Sequence, residues 1–153
     1  MCGIAGALVF DKFVEYRELW IQCAFKLLKA RGPDSGGYFD QYPVLLAARR
    51  LRVHDLTENA DQPMVTQGHA VVFNGAILNY NELRTELIAL GHLFETKSDT
   101  EVVLNSLVEW GVSAFERFEG MFAIAWYDFV ENKIILARDC FGIKPLYYYN
   151  KNN

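Results

Sequence analysis

The chain has 153 residues, of which 52% are hydrophobic and 22% are charged, and its formal net charge is −4. This length and balance are typical of one globular domain with a core of its own. The negative charge and the lack of a basic stripe argue against a nucleic-acid-binding surface, and no apolar run is long enough to span a membrane. Three scattered cysteines, Cys2, Cys23 and Cys140, form neither a disulfide framework nor a zinc-ligand spacing. The sequence therefore predicts a protein of a reducing compartment, the cytoplasm, without a metal site.

The chain begins with Met1 and Cys2 and continues as an apolar run to Phe10, which predicts a buried strand. If Met1 is removed, Cys2 carries a thiol and a free α-amine, so one residue supplies both a nucleophile and a general base. Such an amine, with an ordinary pKa of ~7.7–8.0, is partly free to accept a proton at neutral pH. A cysteine at this position is more often an ordinary residue at a chain end, so the rest of the chain must decide.

Residues 14–30 carry apolar side chains at helical spacing and predict a helix. Cys23 lies on the predicted buried face and is interpreted as a core residue rather than a reactive thiol. A glycine and a proline then end the helix in a loop. Arg31 and Asp34 in this loop fit either a plain connection or a buried site, and the sequence leaves both open. The predicted buried face consists of Leu19, Trp20, Cys23, Ala24, Leu27 and Leu28.

Residues 43–53 predict a strand with arginines near its end. Alternation along a strand places Arg50 and Arg52 on the same face. An arginine at the end of a buried strand usually pairs with a carboxylate, since its planar fork suits bidentate hydrogen bonds. We expect this of Arg50, whereas Arg52 is interpreted as surface charge on an edge strand. His54 and Asp55 open a polar loop, and neighbouring side chains on an extended chain point apart, which argues against a catalytic pair.

A short strand, residues 69–73, ends at Asn74 and Gly75. An Asn-Gly pair is first of all a turn. It also suits an oxyanion site, where an asparagine amide and a glycine N–H converge on developing negative charge. The residues themselves leave both interpretations open.

Two helices are predicted next. The first is capped by Asn79 or Asn81, and the second begins at the capping box that runs from Ser98 to Glu101. Asp99 at the start of the second helix complements the helix dipole, and binding a substrate ammonium group is the sharper alternative. The inward-facing residues of the two helices are predicted to be Leu83, Leu87, Leu90, Val102, Val103 and Leu107.

A helical turn at residues 115–120 precedes three predicted strands, residues 121–127, 133–138 and 145–149. Strands therefore come first, two helices follow, and strands return. This order predicts an α+β fold with largely antiparallel sheets.

Six short motifs occur in one order along the chain. They are Met1-Cys2-Gly3-Ile4-Ala5-Gly6; Arg31-Gly32-Pro33-Asp34; Arg50-Leu51 with Asp55 and Gln62-Pro63-Met64; Asn74-Gly75 with Asn79-Tyr80-Asn81-Glu82-Leu83-Arg84; Ser98-Asp99-Thr100-Glu101-Val102; and Arg138-Asp139 with Gly142-Ile143-Lys144-Pro145-Leu146-Tyr147. Each motif is weak alone, whereas six in register are specific. Together they resemble the class II glutamine amidotransferase domain, in particular the glutaminase domain of asparagine synthetases, over nearly the whole chain.

The resemblance implies an N-terminal-nucleophile (Ntn) hydrolase fold over residues 1–153, a four-layer αββα sandwich with two largely antiparallel sheets. It implies that Cys2 attacks the side-chain amide of glutamine, forms a γ-glutamyl thioester and releases ammonia, with its own amine as the general base. No cofactor is implied in this domain. ATP and Mg²⁺ would be used by a synthetase domain, which is absent from this chain and would accept the ammonia, most simply to make asparagine. Homodimerisation is left open.

The resemblance also assigns site residues. Asn74, through its side chain, and Gly75, through its backbone, would form the oxyanion hole. Arg50 would bind the α-carboxylate of the substrate and Asp99 its α-ammonium group, in agreement with the carboxylate and the cation that the residues alone suggest for them. The residues expected to line the rest of the pocket are Val53, Arg31 and Asp34.

This sequence departs from the family pattern at Ala76, where asparagine synthetases usually have a glutamate. One contact to the substrate ammonium group is therefore missing. Two alternatives follow. The first alternative to glutamine hydrolysis is a catalytically idle Ntn-fold module with a structural or regulatory role toward a synthetase partner. The second is an enzyme that hydrolyses a different amide or peptide. The pairing of Arg50 with Asp99 argues against the second alternative.

Overall fold

The first sheet forms around an apolar run that is buried along its whole length. We describe a computed structural model of residues 2–8, 16–53, 55–66 and 68–150. Strand β3 (Val44–Arg50) lies in the centre, between β1 (Gly3–Leu8) and β2 (Ser35–Gln41), with both neighbours antiparallel to it. The central position explains why its first five residues are all buried. Strand β2 was not predicted, because its two glycines resemble a continuation of the preceding loop.

The second sheet has the order β4-β5-β6-β7, and all its pairs are antiparallel. Its strands are β4 (Met64–Thr66), β5 (His69–Ile77), β6 (Gly120–Asp128) and β7 (Lys133–Arg138). Strand β5 continues straight through Asn74 and Gly75, which pair with β6. The interpretation of this Asn-Gly pair as a turn is therefore wrong, because β6 supplies a partner strand along its whole length.

The two sheets stack face to face, and helices cover both outer faces. Helix α1 (Arg17–Leu28) packs on the first sheet, and helices α2 (Tyr80–Ala89) and α3 (Asp99–Trp110) pack on the second. Alanine, valine and leucine side chains and one tyrosine are buried between the sheets, and leucine, isoleucine, valine, phenylalanine and tryptophan side chains are buried under α2 and α3. The predicted α+β fold with helix–sheet–sheet–helix layers is confirmed. None of the described helices is long and apolar enough to cross a membrane.

Helix α1 turns half of the predicted face toward the core and leaves the other half exposed. Ala24 is buried, but Leu19, Cys23 and Leu27 are exposed, Leu27 by 78%. Apolar residues surround most of this helix, so their spacing did not identify one buried face. The prediction of Cys23 as a core residue is wrong for this reason. Leu90, also predicted to face inward, is exposed because it lies just beyond the end of α2.

The predicted strand at residues 145–149 is absent. Tyr147, Tyr148 and Tyr149 are each more than 80% exposed, and no described strand pairs with this segment. A run of apolar and aromatic residues cannot hold a strand without a neighbour to accept its hydrogen bonds. The predictions for residues 9–15, including the end of the first strand and the start of the first helix, and for His54 lie outside the described residues.

Candidate active site

A pocket of about 280 Å³ lies where the end of β3 approaches the middle of β5 and the start of α3. Its lining comes from segments that are far apart in sequence. Leucine, phenylalanine and methionine side chains give it apolar walls, between which a few polar groups converge. Six residues predicted for the site line this pocket: Cys2, Arg50, Val53, Asn74, Gly75 and Asp99.

Cys2 directly precedes strand β1 and is partly buried. Gly3 pairs with Arg49 of β3, so the first residues of the chain are held beside the end of the central strand. A Cβ atom on Gly3 would lie only 3.0 Å from a Leu28 methyl group of α1. Arg31 donates a long hydrogen bond of 3.4 Å to the Cys2 carbonyl oxygen. These contacts fix the backbone on which the thiol is carried.

Strand β5 turns every second N–H group away from β6, because hydrogen-bonding directions alternate along a strand. The Phe73 N–H donates to Gln62 Oε1 at 2.7 Å, and the Ile77 N–H donates to Asp99 Oδ2 at 3.2 Å. Gly75 lies between these two residues, so its N–H points in the same direction, toward the pocket that it lines. A Cβ atom at Gly75 would lie 2.1 Å from the Met121 carbonyl oxygen, so this close approach of β5 to β6 requires glycine.

Asn74 is 6% exposed and lines the pocket next to that N–H group. Its side-chain oxygen Oδ1 is buried and has no hydrogen-bond partner among the described residues. A buried acceptor atom without a protein partner is costly. This arrangement is typical of a group that is kept for a ligand.

Asp99 begins helix α3 and is 7% exposed. Ser98 caps the helix, since its side chain accepts the Thr100 N–H at 3.0 Å. The predicted reciprocal half of the capping box does not form, because Glu101 accepts backbone N–H groups of the preceding loop instead. The cap and the bond to Ile77 hold the Asp99 carboxylate at the pocket wall.

Arg50 is 6% exposed, and its guanidinium is held by three acceptors. Nη1 donates to Asp61 Oδ1 at 2.9 Å and to the Thr57 carbonyl at 3.1 Å, and Nη2 donates to the Asp55 carbonyl. Of the five N–H donors of an arginine, the Nε–H and one on Nη2 therefore have no partner among the described residues. The predicted carboxylate partner exists within the protein, and donors remain for a second carboxylate.

Arg52 does not lie on an edge strand, because β3 ends at Arg50 and occupies the centre of its sheet. Its guanidinium pairs with Asp61 Oδ2 at 2.8 Å. Asp61 also accepts the Ser35 hydroxyl at 2.7 Å. Partial burial alone would raise the pKa of Asp61, but hydrogen bonds from Arg52, Ser35 and Arg50 hold it below its usual value. The cluster of Arg50, Asp61 and Arg52 carries a net positive charge beside the pocket.

The loop that carries Arg31 and Asp34 was expected to line the pocket, but neither residue is part of the lining. Asp34 Oδ2 accepts the Arg52 N–H at 2.8 Å, so it supports the chain just after β3. A Cβ atom at Gly32 would lie 2.2 Å from the Arg49 carbonyl carbon, which shows how closely this loop packs on β3. Val53 does line the pocket, at its exposed rim.

Sequence reasoning missed Gln62 and Lys144, which also line the pocket. Lys144 is buried there because Asp139 holds the segment between them in a tight turn. The Asp139 carboxylate accepts the backbone N–H groups of Phe122, Ile143 and Lys144. Burial alone would raise the pKa of Asp139, but these bonds lower it. The motif around Lys144 is recognisable in the sequence, but the sequence does not indicate that Lys144 lies at the pocket.

Asp55 gives a testable pH dependence of stability. Hydrogen bonds from the Thr57 side chain and backbone and from the Lys97 N–H lower the pKa of this carboxyl from 3.8 to about 2. The folded state therefore favours the carboxylate, so this stabilisation is complete above about pH 4 and is lost as pH falls toward 2. We expect Asp55→Asn to lower the free energy of unfolding at pH 7 and to flatten its fall between pH 4 and 2, measured by urea unfolding.

Thr57→Val is the matched variant for this prediction, because it removes the hydroxyl donor and leaves the carboxylate. It should flatten the fall only in part and end it at a higher pH, because the backbone N–H groups of Thr57 and Lys97 still lower the pKa of Asp55. Identical pH profiles for wild type and Asp55→Asn would contradict the assignment.

Comparison with known proteins identifies the family of this chain. A family model for the glutamine amidotransferase domain matches residues 1–153. Asparagine synthetase [glutamine-hydrolyzing] 1 of Bacillus subtilis is 41% identical over 160 residues, which is 100% of this chain and 25% of that protein. Asparagine synthetase [glutamine-hydrolyzing] 3 of the same organism is 37% identical, covering 97% of this chain and 25% of that protein. The chain thus spans about a quarter of the length of these relatives.

A solved structure shares the fold. Glutamine phosphoribosylpyrophosphate amidotransferase from B. subtilis aligns with a TM-score of 0.50 and 22% identity, covering 62% of this chain and 23% of that chain. The two stacked antiparallel sheets between helical layers are thus a fold that the chain shares with this amidotransferase. By its sequence, the chain belongs to the glutamine amidotransferase domain family.

Proposed function

We propose that this domain hydrolyses the side-chain amide of glutamine and delivers the ammonia to a synthetase domain. The observation that carries the proposal is the pocket in which a thiol, a buried guanidinium and a buried carboxylate converge. The family membership and the glutamine-hydrolysing relatives support glutamine as the substrate.

The pocket suits a free amino acid. The two remaining donors of Arg50 would take the α-carboxylate, and the Asp99 carboxylate would take the α-ammonium group. The backbone of Val53 would contact the same end of the substrate at the rim. Charge-assisted hydrogen bonds at both α-groups would position the side-chain amide next to Cys2. The attack would then be effectively unimolecular rather than bimolecular.

The chemistry would follow the N-terminal-nucleophile scheme once Met1 is removed. The Cys2 sulfur attacks the amide carbon, and the Cys2 α-amine takes the thiol proton. The Asn74 amide and the Gly75 N–H stabilise the oxyanion. The amine then protonates the leaving nitrogen, so ammonia departs and a γ-glutamyl thioester remains. Water attacks the thioester with the same amine as base, releases glutamate and regenerates the thiol.

We also propose an acceptor for the ammonia. Because the relatives are asparagine synthetases, we propose aspartate activation and amidation in a synthetase domain, with ATP and Mg²⁺ used only there. On the cysteine pattern we place the reaction in the cytoplasm. The glutaminase half itself uses no cofactor.

Release of glutamate and ammonia from glutamine by the purified chain tests the proposal. Intact mass first establishes that the protein begins at Cys2. Cys2→Ala should abolish turnover, whereas Cys140→Ala should retain it, because Cys140 is an exposed thiol away from the pocket lining. Hydroxylamine should trap the thioester as γ-glutamyl hydroxamate in the wild type and in Cys140→Ala only.

A folded chain that begins at Cys2 and releases no glutamate, alone or with an asparagine synthetase domain added, would contradict the proposal. Ala76 favours that outcome, because the resemblance to asparagine synthetases implies a glutamate there and an alanine side chain cannot bind the substrate ammonium group. The domain would then be a structural or regulatory module.

A further inference from the structure

The buried side-chain amide of Gln62 lies where a longer strand β4 would continue. The β4–β5 register pairs Met64 with Val71, so two further steps would place residue 62 opposite Phe73. Strand β4, however, begins only at Met64. The Gln62 side chain replaces the backbone acceptor that a longer β4 would supply, since its Oε1 accepts the Phe73 N–H at 2.7 Å.

The other end of the same amide reaches helix α3. Gln62 Nε2 donates to Thr100 Oγ1 at 3.2 Å, and Thr100 directly follows Asp99. Gln62 is 4% exposed, and this bond and that to Phe73 are buried. One side chain therefore bridges the strand that carries Asn74 and Gly75 and the helix that carries Asp99.

This bridge also explains why the Gly75 N–H is available to a ligand. A longer β4 would have covered the outer N–H groups of β5 with a backbone ladder. Instead, Gln62 takes the Phe73 N–H and Asp99 takes the Ile77 N–H. The Gly75 N–H is left between them, facing the pocket.

We infer that Gln62 is a positioning residue for glutamine hydrolysis, a conclusion that rests on the proposed function. It ends the β4–β5 ladder, fixes the outward N–H of Gly75, and sets the distance between the oxyanion site and the carboxylate that takes the substrate ammonium. It acts through Asn74, Gly75 and Asp99 and makes no bond to the reacting atoms. Displacement of such groups by about 1 Å can cost on the order of 100-fold in rate.

Steady-state glutaminase kinetics on the full chain test the inference. Gln62→Met keeps the length of the side chain and removes both hydrogen bonds. It should lower kcat by about 10- to 100-fold and also raise KM, because the oxyanion site and the ammonium site lose their common tether. Thr100→Val breaks the bridge only at the helix and should mainly raise KM. The double variant should be no worse than Gln62→Met, since both substitutions break one connection.

Asn79→Leu is the matched control. The Asn79 amide also bridges two backbone groups, accepting the Glu119 N–H and donating to the Arg117 carbonyl, but it is not part of the pocket lining. It should lower stability and leave kcat and KM unchanged in the folded protein. This contrast separates positioning from a merely structural role.

If the wild type is active and folded Gln62→Met has the same kcat and KM, the inference is overturned and the proposed function stays intact. Additive effects of the two substitutions overturn it as well. If Gln62→Met does not fold, Thr100→Val decides, and wild-type KM in that variant overturns the inference. A wild type without turnover overturns the function and this inference together.

Discussion

Replacing Asn74 by alanine is expected to lower kcat for glutamine by about 10²–10³-fold, with little change in KM. The reason is that an oxyanion donor interacts with charge that exists only in the transition state. Stability should change little, because the buried Asn74 side-chain oxygen accepts no hydrogen bond from the described residues, so its removal leaves no donor unpaired. Steady-state kinetics and urea unfolding of the same preparations would measure both quantities.

Two further variants sharpen this prediction. Asn74→Asp has the same shape but places a carboxylate beside the developing oxyanion, so its kcat should be at least as low. Asn105→Ala is the control, because Asn105 is a half-buried asparagine on α3 outside the pocket lining. A folded Asn74→Ala protein with wild-type kcat would remove Asn74 from the oxyanion hole.

Replacing Arg50 by methionine is expected to affect both binding and stability. Loss of charge-assisted bonds to the substrate carboxylate should raise KM by on the order of 10- to 100-fold. The substitution also leaves the Asp55 and Thr57 carbonyl oxygens without their donor and removes one partner of Asp61. We therefore expect the free energy of unfolding to fall by about 2–3 kcal/mol.

Arg117→Met is the matched control for this substitution. Arg117 also pairs with a carboxylate, Glu86, and lies over the Trp110 ring, but the ion pair is exposed. Its loss should cost about 1 kcal/mol or less and leave KM unchanged. Equal KM values for wild type and Arg50→Met, measured on folded protein, would show that the substrate carboxylate binds elsewhere.

The local sequence was sufficient to predict those structural features that depend on residues close together in the chain. The start of α3 followed from Ser98, whose side chain caps the helix as predicted. The apolar run of β3 correctly indicated a buried strand, and Arg50 at its end correctly indicated a carboxylate partner. Six of the eight predicted site residues line one pocket.

Predictions failed where the outcome depended on a partner distant in sequence. Asn74 and Gly75 suit a turn in isolation, but pairing with β6 keeps them in a strand. The apolar and aromatic residues at 145–149 favoured a strand, but the described part of the chain offers it no partner. Cys23 fitted a core face because apolar residues surround α1, and only contact with the sheet selected the face that is buried.

The sequence by itself therefore determined most of the elements, the burial of β3 and the residue types available to the candidate site, because these depend on side-chain type and on spacing along a few residues. Only the tertiary structure decided which N–H groups of β5 face the pocket and that Gln62 bridges this strand to α3. The physical reason is that a hydrogen bond forms between groups brought within about 3 Å. For residues such as Gln62 and Thr100, separated by 38 positions, packing of sheet against helix alone provides that proximity.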